Sequence, residues 1–306
     1  MEFQIKPLGL DPAKLASLSE RLIVSHHENN YSGAVKRLNA LRTQLGDLDW
    51  ATAPVFVING LKREELIAAN SAFLHELYFD ALGGDGVLPP CGLSVALDRD
   101  FGSVERWRLE FTALAKAMGG GSGWAVLSWS PREGRLVNHW AADHTHLLAG
   151  AAPLLALDMY EHAYHLDFGA KAAAYVDAFM KNIRWDSVYR RYGAAVAADA
   201  LALGTAPASV FTNTPRIIDV RRAEDYAAGE DMIEGAAWRD PAHLDDWSRE
   251  LDVNQPALVY CVKGLDVCRS AALSLRARGF DARYLEGGVN AWRSAGLPLQ
   301  PKVDTE

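Results

Sequence analysis

The sequence predicts an α+β domain followed by an α/β domain. Apolar residues recur at helical spacing through the first 90 residues and again after residue 170. Between these stretches lie short apolar runs bounded by turn residues, as expected of a small sheet. Beyond residue 208, short β-branched runs alternate with helical patterns, which is typical of a parallel sheet flanked by helices. A chain of 306 residues is also long enough for two domains.

Residues 1–90 predict a helical hairpin. The apolar spacing indicates a long helix, straight or kinked, from about residue 11 to about residue 45. A second helix is predicted over about 61–82, and Gly83-Gly84-Asp85-Gly86 ends it. Two helices of this length suit an antiparallel pair joined by a loop.

Residues 91–203 predict helices around a small antiparallel three-stranded sheet. The helices are expected over about 103–118 and, with a break near Trp185, over about 170–203. The predicted strands are 124–129, 135–140 and 153–157. Residues 1–203 therefore form the first predicted domain.

The small residues 204–208 predict a linker to a second domain at 209–302. Strands are expected at 217–220, 257–261 and 282–285, with a helix at about 269–278 that Gly279 ends. This order predicts a parallel sheet covered by helices.

The composition argues against several classes of function. A net charge of −8 without a Lys/Arg cluster argues against nucleic acid as a partner. No run approaches the ~18 apolar residues that cross a membrane, and the first residues lack a signal-peptide pattern. The 3 cysteines cannot all pair, which suits a reducing compartment. We therefore expect a cytoplasmic protein that binds neither membrane nor nucleic acid.

Asp158 and His162 follow an apolar run and are four residues apart. If a helix begins near Asp158, both side chains lie on one of its faces, where a carboxylate and an imidazole suit a metal ion. The alternative is an N-cap aspartate followed by an ordinary helix histidine. His26 and His75, on the two hairpin helices, are further candidate ligands. Three imidazoles and one carboxylate suit iron or manganese and also zinc, but spacing alone does not bring the four residues together.

Residues 1 to about 200 resemble the iron/manganese superoxide dismutase family. Asp158-Met159-Tyr160-Glu161-His162-Ala163-Tyr164 is similar to its D-x-W-E-H-A-Y signature, and Gly121-Ser122-Gly123-Trp124 to its G-S-G-W segment. Phe73-Leu74-His75 is similar to its W-N-H motif, and His26 lies nine residues before Val35, as the family's first ligand histidine does. The resemblance implies that one iron or manganese ion per subunit is bound by His26, His75, Asp158 and His162. It also implies a homodimer in which Glu161 of one subunit bonds His162 of the other.

The residues around the implied metal ion depart from the family. Its gateway tyrosine and histidine align with Ala34 and Asn30, and its signature tryptophan is Tyr160. Tyr31, one helical turn before Ala34, is expected to replace part of the gateway. The resemblance further implies that Trp124 lines the metal pocket. It places His144 at the contact with metal-bound solvent, and a surface-loop histidine is the alternative.

Cys261 ends a predicted parallel strand and precedes a helix. Backbone N–H groups and the helix dipole at such a position lower the pKa of a thiol and stabilise a thiolate or a persulfide. A buried structural cysteine is the alternative. Cys268, seven residues on, either packs the helix or resolves an oxidised Cys261. No role is predicted for Cys91.

Residues from about 208 to 300 resemble a single rhodanese (sulfurtransferase) domain. Ile218-Asp219-Val220-Arg221 is similar to the start of its first motif, and Tyr284-Leu285-Glu286-Gly287-Gly288 with Ala291-Trp292 to its L-x-G-G-x-x-A-W motif. Cys261 falls on the family's catalytic cysteine, which implies transfer of sulfane sulfur through a persulfide. The thiol loop would include Lys263, Gly264 and Arg269. Because Asp266 adds negative charge there, a persulfide is expected to be a better sulfur donor than thiosulfate.

Together the resemblances predict a superoxide dismutase-like metalloenzyme fused to a sulfurtransferase, with superoxide and a sulfane-sulfur donor as partners. Two alternatives stay open. The metal could use oxygen to oxidise persulfide sulfur, or the chain could be a non-catalytic metal-binding dimer whose thiol domain senses sulfur or peroxide.

Overall fold

The computed structural model describes residues 2–212 and 215–302, except for the side chains of residues 211 and 212. Residue 1 and residues 213–214, which the predicted domains include, lie outside the described residues. An α+β domain is followed by an α/β domain, as the sequence predicts.

The first domain begins with two long helical segments that pack against each other. The first segment runs from residue 20 to residue 46 as α1 (Glu20–Ser25), a π-helical segment (His26–Tyr31) and α2 (Ser32–Gly46). The second is α3 (Val55–Asp80). The π-helical segment supplies the kink that the sequence left open, and such segments occur frequently at functional sites.

The first helix begins later than predicted. Residues 12–14 form only a 3₁₀ turn, and Ser17 adopts a φ of 63°, which a right-handed helix does not allow. Ser19 then caps α1, because its Oγ accepts the N–H of Leu22 at 3.1 Å.

The remainder of the first domain packs five further helices around an antiparallel sheet. The elements are α4 (Gly92–Phe101), α5 (Val104–Ala117), β1 (Trp124–Ser130), β2 (Arg135–Ala141), β3 (Ala152–Asp158), α6 (His165–Phe168), α7 (Ala172–Met180) and α8 (Trp185–Asp199). The strand order is β2-β1-β3, and every residue of β1 is buried. Helix α4 was not predicted. The helix proposed to begin near Asp158 is absent from the described structure, because Asp158 ends β3 and a 3₁₀ turn (Glu161–Ala163) follows it.

The second domain is built on a five-stranded parallel sheet of order β4-β9-β8-β5-β7. A second, antiparallel pair joins β10 to β6. The elements are β4 (Gly204–Thr205), β5 (Arg216–Asp219), α9 (Ala223–Ala228), β6 (Asp231–Ile233), β7 (Ala237–Trp238), α10 (Leu244–Trp247), β8 (Ala257–Tyr260), α11 (Asp266–Ala277), β9 (Ala282–Leu285), α12 (Gly288–Ser294) and β10 (Leu299–Pro301). The first two residues of the predicted linker therefore form a strand, since they pair with β9.

Helix α11 lies between the two domains. Its buried alanines and Leu275 belong to the core of the second domain. Its serines contact the first domain: Ser270 Oγ lies 3.4 Å from Arg99 Nη1, and Ser274 Oγ donates to Gly134 O. Gly134 has a φ of 60°, and a Cβ there would lie 2.7 Å from the carbonyl oxygen of Leu273. This glycine therefore allows the β1–β2 turn to approach α11 closely.

Among the described residues, no helix combines the length and the apolar character needed to cross a membrane.

Candidate metal centre and thiol site

Asp158 and three histidines converge where the hairpin meets the sheet. His26 begins the π-helical segment, His75 lies in α3, Asp158 ends β3, and His162 lies in the 3₁₀ turn that follows. The Nε2 atoms of His26, His75 and His162 lie 3.1, 3.4 and 3.2 Å from Asp158 Oδ2. One ligand atom from each of the four residues lies within 4.8 Å of all the others. Ligands about 2.1 Å from one ion and about 90–120° apart are separated by about 3.0–3.6 Å, so the spacing fits a metal ion.

The orientation of His75 also fits a cation. His75 Nδ1 lies 2.6 Å from the carbonyl oxygen of Ser71, to which it donates, and this leaves the lone pair of Nε2 facing Asp158. Nε2 is buried and makes no hydrogen bond within the described chain. Burial lowers the pKa of His75 to about 3, although the Asp158 charge opposes this effect. At neutral pH two lone pairs therefore face each other in a buried site, and a cation resolves that arrangement.

Asp158 and His26 have the protonation states that a metal requires. Burial alone would raise the pKa of Asp158, but hydrogen bonds from His162 and His26 outweigh it and hold the pKa well below the usual range. Burial lowers the pKa of His26. A carboxylate and neutral imidazoles are the forms that bind metal ions. His162 keeps 29% of its side chain exposed, so the cluster reaches the surface on that side.

Trp124, His144 and Tyr160 form a layer beside the four residues. Trp124 lies opposite Asp158 in the sheet, and its indole Nε1 donates to His144 Nδ1 at 2.9 Å. The ring of Tyr160 stacks against both His144 and His162. Its centroid lies 4.9 Å from that of His144 and 5.5 Å from that of His162. Burial lowers the pKa of His144, so the imidazole that accepts from Trp124 is neutral. His144 is thus half-buried beside the cluster rather than in a free surface loop.

Tyr31 lies near the cluster, but its hydroxyl is used elsewhere. The ring centroids of Tyr31 and His75 are 6.5 Å apart. The hydroxyl donates to Glu76 Oε1 at 3.1 Å and accepts from the N–H of Lys6 at 2.9 Å. Tyr31 and Glu76 line a cavity of about 690 Å³. Glu161 is exposed on the chain described here.

The thiol site is a tight loop between β8 and α11. Cys261 follows β8, and its carbonyl oxygen accepts the N–H of Val289 at 3.0 Å. Gly288 has a φ of 61°, and a Cβ there would lie 2.2 Å from the Cys261 carbonyl oxygen. Gly264 has a φ of 69°, and its Cβ would lie 2.4 Å from the nitrogen of Gly287. The two glycines therefore let the loop rest directly on the backbone at the start of α12.

The environment of Cys261 favours a thiolate. A hydrogen bond with Cys268 contributes most to lowering the pKa of Cys261 to about 7; burial opposes it, and backbone N–H groups of Cys268, Leu265 and Lys263 assist. The two sulfur atoms lie 3.0 Å apart. Burial raises the pKa of Cys268 well above its usual range, so Cys268 keeps its proton when Cys261 is a thiolate and can then donate it to that sulfur.

Both domains line a cavity of about 360 Å³ beside Cys261. The second domain contributes Cys261, Lys263 and Arg222, and the first contributes Cys91 and Tyr189. Among these, Lys263 is exposed, whereas Arg222 is paired with Asp225 at 2.7 Å.

Two predicted features of the thiol loop differ in the structure. Arg269 was predicted to belong to the thiol loop, but its guanidinium lies 5.2 Å from the ring centroid of Tyr284, and Arg222 rather than Arg269 lines the cavity. Asp266 lines the cavity as predicted, but its carboxylate accepts a 2.9 Å hydrogen bond from the Tyr189 hydroxyl.

Comparison with known proteins matches both halves of the chain. Residues 89–191 match the family described as iron/manganese superoxide dismutases, C-terminal domain, and residues 206–295 match the rhodanese-like domain. The superoxide dismutase [Fe] of Cupriavidus metallidurans is 66% identical over 196 residues, which cover 64% of this chain and 99% of that protein. The chain belongs to the iron/manganese superoxide dismutase family.

Relatives named for either metal align with the dismutase domain. The superoxide dismutase [Fe] of Aquifex pyrophilus is 36% identical over 197 residues, covering 62% of this chain and 91% of that protein. The superoxide dismutase [Mn] 1 of Halobacterium salinarum is 32% identical over 194 residues, covering 62% of this chain and 95% of that protein. The predicted family, the predicted folds and iron or manganese as the cofactor class are confirmed; the roles of single residues stay predictions.

Arg222 and Tyr189 were not predicted as parts of the thiol site. Arg222 follows β5, which pairs in parallel with β8, so both strands end at the same edge of the sheet. This adjacency was the available signal for Arg222. No sequence signal was available for Tyr189, because the packing of a helix against another domain adds no recognisable pattern to the spacing of its apolar residues.

Proposed function

We propose that this chain disproportionates superoxide in its dismutase domain and transfers sulfane sulfur in its rhodanese-like domain. We place the boundary between the domains at residue 204, because Gly204 and Thr205 pair with β9. The observation that carries the first activity is the approach of three imidazole Nε2 atoms to one carboxylate oxygen, with the lone pair of His75 directed at Asp158.

His26, His75, Asp158 and His162 would hold one iron or manganese ion. When bound, the ion supplies the one-electron exchange by which two superoxide ions and two protons become oxygen and hydrogen peroxide. One carboxylate among three neutral imidazoles leaves both oxidation states accessible. Trp124 holds His144 by its indole N–H, and His144 in turn would hydrogen bond solvent at the centre.

Protons must reach the site for each turnover, and Tyr31 with Glu76 is the proposed route. The Tyr31 hydroxyl and the Glu76 carboxylate are hydrogen bonded and both line the 690 Å³ cavity. They would replace the family's gateway tyrosine and histidine, whose positions are occupied here by Ala34 and Asn30.

We also propose a homodimer and a cytoplasmic location. Glu161 is exposed and His162 is partly exposed on the same turn, so a second copy bonding His162 through Glu161 would cover this face of the centre. The cysteines at positions 91, 261 and 268 are all free, which suits a reducing compartment.

The dismutase proposal is tested by metal analysis of the purified chain and of His75→Ala. We expect about one equivalent of iron or manganese in the wild type. In the variant we expect the metal affinity to fall by at least about tenfold, since losing even a residue that only hydrogen bonds a ligand costs about 10–100-fold in affinity. His146→Ala is the matched control, because His146 is an exposed histidine, with 58% of its side chain accessible. Wild-type protein without either metal, or a His75→Ala variant that keeps it, would sink the proposal.

Sulfur transfer begins with the Cys261 thiolate. It attacks the outer sulfur of a donor persulfide, the new bond joins Cys261 Sγ to that sulfur, and the donor leaves as a thiol. The backbone N–H groups of Lys263, Leu265 and Cys268 support the thiolate and would support the persulfide anion in the same way. The sulfane sulfur then passes to an acceptor thiol by the same exchange.

Mass spectrometry after exposure to cysteine persulfide tests this step. We expect an added sulfur on the peptide that contains Cys261, and none on that peptide in Cys261→Ser. Thiosulfate serves as the second donor, and a weaker yield is expected because Asp266 lines the cavity. A wild-type peptide that remains unmodified, under conditions that label a control rhodanese, contradicts the proposal.

A further inference from the structure

The cavity beside Cys261 contains a second thiol, which the dismutase domain supplies. Cys91 and Cys261 both line the 360 Å³ space. A short chain of contacts joins them: the N–H of Leu265 bonds the Cys261 sulfur, Asp266 follows Leu265, and the carboxylate of Asp266 packs against Gly92. A Cβ on Gly92 would lie 1.6 Å from Asp266 Oδ2, so the two segments are in direct contact. The two thiols therefore open onto the same cavity, and its extent is the upper limit of their separation.

The helix in which Cys91 lies fixes its position. Cys91 is the N-cap of α4: its sulfur accepts the N–H of Ser94, and the Ser94 hydroxyl accepts the N–H of Cys91 at 2.9 Å. Cys91 is partly exposed: it packs against the core of the first domain and also lines the cavity. A capping serine would satisfy the same backbone group better than a sulfur, so capping alone gives no reason for a thiol here.

We propose that Cys91 is the first acceptor of sulfane sulfur from Cys261, which makes the sulfur site a product of both domains. Cys91 Sγ attacks the outer sulfur of the Cys261 persulfide, a new S–S bond forms on Cys91, and the old S–S bond breaks. Cys261 leaves as a thiolate, and the proton of Cys91 passes to solvent. No oxidant is consumed, because one persulfide replaces another. This inference rests on the proposed sulfur transfer at Cys261.

The chemistry of the two thiols favours this direction of transfer. Exchange is faster when the leaving thiol has the lower pKa, whereas a higher pKa makes the attacking thiolate more nucleophilic but less abundant. Burial raises the pKa of Cys91, whereas that of Cys261 is lowered to about 7. Cys268, the other neighbouring thiol, is fully buried and does not line the described cavity, so sulfur carried there would have no exit.

The experiment maps persulfides in the full chain with time after a brief exposure to cysteine persulfide. Cys91→Ser, Cys261→Ser and Cys268→Ser are compared with the wild type, and serine at position 91 keeps the helix cap. Metal content, measured on each variant, verifies that the dismutase domain is folded. In the wild type we expect the extra sulfur first on Cys261 and then on Cys91.

The variants separate this inference from the proposed function. In Cys261→Ser the label on Cys91 is lost; in Cys91→Ser it persists on Cys261; in Cys268→Ser the transfer to Cys91 continues. Label that stays on Cys261 in the wild type, or that reaches Cys91 equally in Cys261→Ser, overturns the inference and leaves sulfur transfer at Cys261 intact. Absence of label from Cys261 itself overturns both.

Discussion

The hydroxyl of Tyr189 in α8 donates a 2.9 Å hydrogen bond to Oδ2 of Asp266, the first residue of α11. Burial raises the pKa of Tyr189 well above its usual range, and the Asp266 charge adds to the effect, so the phenol stays protonated and remains the donor. Since α11 begins just after the thiol loop, this bond joins the dismutase domain to the helix that supports Cys261. The same carboxylate also packs against the backbone of Gly92.

A double-mutant cycle on Tyr189→Phe and Asp266→Asn measures this link. We expect a coupling free energy of about 1 kcal/mol, because the pair is a partly exposed hydrogen bond to a charged acceptor. Urea unfolding of the full chain supplies the four free energies. Tyr164→Phe, at a tyrosine of the dismutase domain remote from α11, is combined with Asp266→Asn as the control and should show no coupling. If the changes in the free energy of unfolding caused by Tyr189→Phe and Asp266→Asn are additive, the hydrogen bond does not stabilise the contact between the domains.

The sequence was sufficient for most of the metal site because its motifs are local and contain the ligands themselves. Asp158 and His162 belong to one signature, and His75 ends another. The local geometry between them was not predictable: a strand end and a 3₁₀ turn bring His162 back to Asp158, where a helix was expected. Either conformation places residues four apart on the same side, so spacing alone did not distinguish them.

Only the part of the thiol site that lies in the second domain was predicted from the sequence. Cys261, Lys263 and Gly264 lie in a continuous loop whose motif was visible. Tyr189 and Cys91 come from segments more than 70 residues away, and only the docking of α11 brings them to the loop. Such contacts depend on how two folded domains dock, and the hydrophobic periodicity within either domain does not predict that docking. This is also why the charge of Asp266 appeared unpaired in the sequence.

Gly288→Ala is expected to destabilise the second domain by about 3 kcal/mol or more. Its φ of 61° and the 2.2 Å approach of its Cβ to the Cys261 carbonyl oxygen would both oppose the substitution. Gly296→Ala is the matched control: its φ is 67°, but nothing lies within 4 Å of the added Cβ. The control should therefore cost only about 1–2 kcal/mol for the left-handed conformation. Urea unfolding compares the two, and equal losses would show that the contact with the thiol loop is not tight.

The pH dependence of Cys261 alkylation should have its midpoint near pH 7. Below that value the thiol is protonated and the rate with iodoacetamide rises about tenfold per pH unit; above it the thiolate is fully formed and the rate levels off. Cys268→Ala removes the hydrogen bond that contributes most to the lowered pKa, so its midpoint should move to higher pH. Cys268→Ser retains a hydroxyl donor and should stay closer to the wild type. Identical profiles for wild type and Cys268→Ala would contradict this role of Cys268.

Hydrogen peroxide is expected to join Cys261 to Cys268. The Cys261 thiolate attacks peroxide and becomes a sulfenic acid as hydroxide leaves; the Cys268 thiol then attacks that sulfur and water leaves, so two electrons pass to peroxide. The sulfur atoms are 3.0 Å apart, and a disulfide requires them to move about 1 Å closer. Peptide mapping without reductant should find this disulfide, and oxidised protein should take up no sulfane sulfur until it is reduced.

Cys268→Ser identifies the resolving thiol in the same experiment. Without Cys268 the sulfenic acid has no partner at 3.0 Å, so oxidation should continue to the sulfinic acid, and thiol reductants should no longer restore sulfur uptake. Cys91→Ser should still form the Cys261–Cys268 disulfide, because its sulfur lies across the cavity rather than against Cys261. A disulfide between Cys91 and Cys261 in the wild type would reverse this assignment. Because the proposed dismutase activity produces hydrogen peroxide in the neighbouring domain, the disulfide would stop sulfur transfer while superoxide is being removed.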